Sequence, residues 1–205
     1  MAALFINKTL VVNNKDKDEL ELERELIRVL ENKVMLLYFG SGDCPRCKAF
    51  APALKEFFVK LTDEFYVERA SQLVLIYVSL DETEEQQATF LKTMPKRWLF
   101  LPFHDEYKRE LELRFSVKDP PVVVVLKPNG DIITANAMEE IEQKGTDCFK
   151  NWQEAAELVD RNFRLAEDFD KVALRSISDP IRRYKYKLAK SKRRKRSKDE
   201  GDASS

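Results

Sequence analysis

Two cysteines separated by two residues, in Cys44-Pro45-Arg46-Cys47, are the side chains of this chain best suited to covalent chemistry. Such a pair can exchange with a disulfide, or supply half of a tetrahedral metal site. In exchange, the first thiol attacks as a thiolate and the second, one helical turn further on, resolves the mixed disulfide. Cys44 is then the nucleophile and Cys47 the resolving thiol. Zinc needs four ligands, and outside the pair only Cys148 and the single His104 remain, with no second paired spacing. Neither a metal nor any other cofactor is therefore expected, and inert packed cysteines are the remaining alternative. Three cysteines in a chain of this size also fall short of a disulfide scaffold. Arg46 adds positive charge beside Cys44 and favours its thiolate, whereas Asp43 opposes it. By charge count alone the two roughly cancel.

The elements that must hold this pair can be read around it. The apolar run Val34-Met35-Leu36-Leu37-Tyr38-Phe39 ends in Gly40-Ser41-Gly42, the pattern of a strand buried on both faces and then a turn. A helix is predicted over 45–64, with Phe50, Leu54, Phe57, Phe58 and Leu61 at three- and four-residue steps and Pro52 as a kink. A sulfur in the first turn of that helix lies near unpaired N–H groups and the positive end of the macrodipole, which lowers its pKa. A second buried strand covers 73–79. Thr83, with Gln86 three residues later, forms a capping-box pattern that opens a helix to Lys92. Strand, helix, strand, helix implies parallel pairing with right-handed crossovers. Residues 98–103 read as a packed loop rather than an exposed apolar patch, and 105–115 as a helix. Val122-Val123-Val124-Val125-Leu126, then Asn129-Gly130 and Ile132-Ile133, give a hairpin that switches the sheet to antiparallel pairing. A short strand over 10–12, an amphipathic helix over 18–31 and a helix over 148–163 carrying Trp152 complete the pattern.

The chain has 205 residues, 43% of them hydrophobic, with five glycines and eight prolines. That suits one substantial core over 1–164 and a C-terminal extension over 165–205. The formal net charge is zero, yet residues 182–198 hold eleven Lys/Arg and no acid, so the preceding body is acidic. A basic tail on an acidic body is an appended segment, and no nucleic-acid partner is expected. Its cluster Lys192-Arg193-Arg194-Lys195-Arg196 reads as a solvated tail before it reads as a nuclear-import or phosphate-binding signal. No apolar run reaches 18 residues and the N-terminus lacks the features of a signal peptide, so no membrane span and a cytosolic location are expected. Cys148 reads as a small packed hydrophobe and His104 as a surface residue.

Several motifs carry a resemblance. They are Tyr38-Phe39-Gly40-Ser41-Gly42-Asp43-Cys44-Pro45-Arg46-Cys47, Pro52, Phe65-Tyr66, Thr83-Glu84-Glu85-Gln86-Gln87, Trp98-Leu99-Phe100-Leu101-Pro102-Phe103, Pro121, Lys127-Pro128-Asn129-Gly130-Asp131, and Asn151-Trp152-Gln153-Glu154-Ala155-Ala156-Glu157. On these the chain resembles the tryparedoxin and nucleoredoxin branch of the thioredoxin superfamily, and over nearly its whole length the nucleoredoxin-like members of that branch. The resemblance implies an α/β thioredoxin fold, a central mixed sheet flanked by helices on both faces. It implies that Pro121 is a cis-proline facing the dithiol, so that Pro45, Arg46, Pro120 and Pro121 shape the substrate groove. It also implies a redox protein of the photoreceptor cytoplasm that acts on protein disulfides and thiols and supports cone survival. A truncated, extracellular form would act instead through basigin and an associated glucose transporter to promote glucose uptake.

Departures from the family pattern qualify the expectation. The buried Asp that thioredoxins carry six residues before the first cysteine is Tyr38, and the Trp before that cysteine is Asp43. Pro120 has no N–H for an extended substrate. Limited activity toward general protein disulfides is therefore expected.

Overall fold

Every residue of the strands Val34–Gly40 (β3) and Leu73–Ser79 (β4) is buried, because the sheet they centre is covered on both faces. Side chains alternate across a strand, so each apolar run feeds two cores. Val34, Leu36 and Tyr38 of β3 join Leu73, Leu75 and Tyr77 of β4 in one cluster, while Met35, Leu37 and Phe39 join Val74, Ile76 and Val78 in the other. Each fully buried large side chain contributes about 1.5–3 kcal/mol. These two strands are therefore the centre of the fold's stability. A computed structural model describes residues 2–62, 72–156 and 158.

The sheet has seven strands in the order β2-β1-β5-β4-β3-β6-β7. The others are β1 (Leu10–Val12), β2 (Glu19–Leu20), β5 (Leu99–Phe100), β6 (Val122–Leu126) and β7 (Ile132–Thr134). β3 pairs parallel with β4 from Val34↔Leu73 to Gly40↔Ser79, and antiparallel with β6 on its other side. The mixed sheet and the switch at the Asn129-Gly130 hairpin are thus as expected. Gly130 takes a φ of 98°, where a side chain would be strained. Helices α3 (Pro45–Thr62), α4 (Glu84–Thr93), α6 (Met138–Lys144) and α7 (Cys148–Ala156) pack on the Tyr38 face. Helices α1 (Ala2–Phe5), α2 (Glu23–Leu30) and α5 (Tyr107–Arg114) pack on the Phe39 face.

Three features differ from the expectations. Residues 98–103 are not only a packed loop: Leu99 and Phe100 form β5, bridging β4 and β1, because the buried Trp98 and Leu101 pin the segment against the sheet edge. The amphipathic segment 18–31 splits, its first residues pairing with β1 as β2 and only Glu23–Leu30 turning into helix. Two short helices, α1 and α6, escaped detection, being too brief to show a 3.6-residue period. The N-cap expected at Thr83 is present, with both hydrogen bonds of the capping box to Gln86.

All described residues belong to one unit ending at Val159. The end of the helix expected over 148–163, Phe65-Tyr66, the extension 165–205 and its basic cluster lie outside the described residues. Among the described residues no helix is long and apolar enough to cross a membrane.

Candidate functional site

The β3-to-α3 turn sets the two cysteines at different depths. Pro45 is the first helical residue, where its missing N–H costs nothing and its fixed φ suits the helix. The helix closes its first turn with the Lys48 N–H donating to the Cys44 carbonyl at 3.0 Å. Cys44 is half-buried and Cys47, one turn inward, is fully buried; both are free thiols. Burial alone would raise the Cys44 pKa. The backbone N–H and thiol of Cys47, the backbone N–H of Arg46 and the Arg46 charge outweigh it, and Cys44 lies below the ordinary thiol range. Cys47 is pushed up to about 11, first by burial and then by the neighbouring Cys44, against the pull of the Ser41 N–H and Tyr38.

Asp43 does not cancel Arg46, as charge counting suggested. Its carboxylate pairs with the Lys48 ammonium at 3.6 Å, whose charge offsets its own, and accepts from the Gln86 side-chain amide. Gln86 thereby joins the cap of α4 to the residue before the nucleophile.

A carboxylate that carried no recognisable motif holds the turn. Asp81 is buried, and its Oδ1 accepts from the Ser41 hydroxyl at 2.9 Å and the Gly42 N–H at 2.6 Å. Its Oδ2 accepts from the Tyr77 hydroxyl at 2.9 Å and the Ser79 hydroxyl at 2.7 Å. A buried carboxylate is tolerated only when its oxygens are satisfied in this way. Gly42 completes the fit: a Cβ there would sit 3.1 Å from the Phe90 Cβ and 3.2 Å from the Gln86 carbonyl. The alternating pattern of β4 placed Tyr77 and Ser79 on this face, but nothing local signalled that Asp81 two residues later turns back under the dithiol.

Opposite lies the second loop. The Pro120–Pro121 peptide is cis, with Pro121 buried and Pro120 half-buried. The Cys44 thiol faces the Pro120 carbonyl at 3.8 Å. The structure thus brings Cys44, Cys47 and the Pro120–Pro121 loop together, with Pro45 and Arg46 exposed at the rim. On the α3–α4 side a cavity of about 740 Å³ opens beside Asp43, with Ala51, Pro52, Phe90 and Met94 as an apolar floor and Lys48 and Lys55 lining it. Its size is ordinary for a binding cleft. Cys148 is excluded from the site: it is fully buried in the core beside Phe149 and Trp152. His104 is exposed.

A thioredoxin-like family model matches residues 32–132, the span from the start of β3 to β7. Nucleoredoxin-like protein 1 of Mus musculus is 58% identical over 203 residues, covering 99% of this chain and 94% of that protein. The Homo sapiens protein of the same name is 57% identical, covering 94% and 91%. Among solved structures, thioredoxin from Wuchereria bancrofti aligns with a TM-score of 0.58 at 28% identity, over 74% of this chain and 98% of that one. Tryparedoxin II from C. fasciculata aligns with a TM-score of 0.57 at 28% identity, over 70% and 91%. Fold, paired cysteines and near-full-length similarity agree on a thioredoxin-like redox role, and the chain belongs to the nucleoredoxin-like protein 1 family of thioredoxin-like proteins.

Proposed function

We propose that the chain is a thiol–disulfide oxidoreductase of narrow substrate range that protects cytoplasmic proteins of photoreceptors from oxidation and so supports cone survival. The observation that carries the redox part is the pairing of a half-buried Cys44, its pKa lowered at the start of α3, with a fully buried Cys47 one turn behind it. The Cys44 thiolate attacks a substrate disulfide, forming a mixed disulfide and expelling one substrate thiolate. Cys47, deprotonated, attacks the Cys44 sulfur, and the second substrate thiolate leaves. Two electrons pass from the dithiol to the substrate, whose two thiolates take up protons from water, and a thiol reductant restores the pair.

Narrow range follows from the groove. Pro120 offers its carbonyl and no N–H, so an extended peptide loses one of the two backbone bonds that would hold it there. The photoreceptor setting rests on the 57–58% identity to nucleoredoxin-like protein 1.

Insulin reduction tests the activity. Slow turnover that disappears in Cys44→Ser is expected; a rate matching thioredoxin overturns the narrow range, and no Cys44-dependent turnover of any disulfide overturns the enzyme. The same Pro120 feature favours a second reading, in which a truncated extracellular form binds basigin and an associated glucose transporter and promotes glucose uptake without redox chemistry. A Cys44→Ser/Cys47→Ser variant that still sustains cones supports that second reading.

A further inference from the structure

Tyr38 is fully buried, its ring enclosed by Tyr77, Trp98, Phe50 and Phe90 at centroid distances from 5.5 to 6.2 Å. Its hydroxyl has no hydrogen-bond partner, a condition shared among the described residues only with the Trp98 ring nitrogen. Phenylalanine would fill the same space without burying an unpaired polar atom, so the hydroxyl is a cost to the resting fold.

Its position is specific. A Cβ on Gly40 would lie 2.7 Å from the phenol oxygen, so the absence of a side chain at Gly40 leaves room for it. The following residue, Ser41, donates its N–H to the Cys47 sulfur at 3.5 Å. The phenol therefore ends against the backbone segment on which Cys47 rests, and Tyr38 and Cys47 shift each other's acidity.

We propose that the Tyr38 hydroxyl is a hydrogen-bond donor reserved for the Cys47 thiolate, unpaired while Cys47 is a thiol and satisfied when Cys47 ionises to attack the mixed disulfide on Cys44. In that step Cys47 gives its proton to water and its sulfur bonds to the Cys44 sulfur. The bond from Cys44 to the substrate breaks, and the substrate thiolate leaves with the electron pair. Tyr38 keeps its proton throughout, because burial holds its pKa well above the usual phenol range. With the Ser41 N–H it gives the buried thiolate two donors. The position where thioredoxins carry an Asp is therefore not a bare loss here. A proton acceptor has been replaced by a neutral donor.

The physiological meaning rests on the oxidoreductase reading, but the test does not. In full-length protein the titration of each cysteine is followed by the Cβ chemical shift of ¹³C-labelled cysteine, in wild type and Tyr38→Phe. The Cys47 midpoint is expected to rise by about one pH unit, a tenfold loss of thiolate, while Cys148 does not move. The melting temperature is expected to hold or rise. With an aromatic disulfide reagent, the first release of thiolate, from Cys44 attack, keeps its rate, and the second, from Cys47 attack, slows about tenfold in step with that loss of thiolate. An unmoved Cys47 titration overturns the proposal, and with a lowered melting temperature it assigns the hydroxyl to packing. A wild type that never attacks the reagent defeats the oxidoreductase reading and leaves the titration to decide this one.

Discussion

Cysteines stand at the start of two helices, α3 and α7, and the two sites have opposite chemistry. Cys148 is fully buried, its thiol donates to the Gly145 carbonyl at 2.9 Å, and its pKa is pushed up to about 12, first by burial and then by the Glu140 carboxylate. Cys44 is half-buried, faces backbone N–H groups, and is shifted down. Both sit at the positive end of a helix dipole, so the dipole alone does not make a thiolate. The approach of the chain decides the outcome. Before α3 it arrives as an open turn braced from below by Asp81, which leaves the helix N–H groups to the sulfur. Before α7 it arrives as the tight helical turn Gly145–Asp147, which presents a carbonyl instead.

The sharpest way to break this contrast is to measure it. At neutral pH, alkylation of the native reduced protein followed by mass mapping is expected to modify Cys44 at least about a thousandfold faster than Cys148, from thiolate fraction alone. Comparable rates would mean that the two helix starts do not differ.

Asp81→Ala removes the brace and is next in size. The turn loses two anchors and Tyr77 and Ser79 lose their acceptor, so a destabilisation of about 3 kcal/mol is expected in urea unfolding. Cys44 alkylation should slow toward an ordinary thiol while Cys148 stays inert. Undiminished Cys44 reactivity would show that the turn holds its shape without the carboxylate.

Stability against pH sharpens the contrast by its sign. Cys47 and Cys148 hold their protons to about 11 and 12 in the fold, against 9.0 for an ordinary thiol. The unfolded chain releases those protons first, so the two contributions are complete below about pH 9 and are lost as pH rises toward 12. Each thiol contributes at most about 1.4 kcal/mol per pH unit. Cys44, shifted down, has the opposite sign: its contribution is present above 9.0 and is lost as pH falls through its folded pKa. Chemical unfolding of the reduced protein across pH 8–11 should show the decline, and Cys148→Ala should flatten it where Cys44→Ser does not.

What could be read in advance of the structure was whatever a local pattern encodes. The buried runs of β3, β4 and β6, the Thr83 capping box and the Asn129-Gly130 hairpin each depend on a few consecutive residues. Leu99–Phe100 failed as a strand because two paired residues have no period, and their pairing with β1 lies nearly ninety positions away in sequence. Within the site the cysteines and the cis-proline were legible, the latter only by family resemblance. Asp81 was not, since the two partners that tie it to the dithiol turn, Ser41 and Gly42, lie about forty positions away and reach it only after β3 and β4 pair. Tyr38 was visible as the position of a lost acid, but where its hydroxyl ends is set by the rings packed around it and is not written in the local sequence.

The smallest effect tests why Cys44 is shifted at all. Arg46 contributes through its backbone N–H and through its side-chain charge, and Arg46→Ala removes only the second. The guanidinium is exposed, so its field reaches Cys44 largely through water. Alkylation of Cys44 at pH 7 should therefore slow only about two- to threefold, and the difference should vanish near 1 M salt, where the screening length is about 3 Å. Asp43→Asn should change the rate less still, because Lys48 and Gln86 already occupy that carboxylate. A tenfold loss in Arg46→Ala that persists in high salt would reverse this ranking, making side-chain charge rather than the open helix start the source of the difference between Cys44 and Cys148.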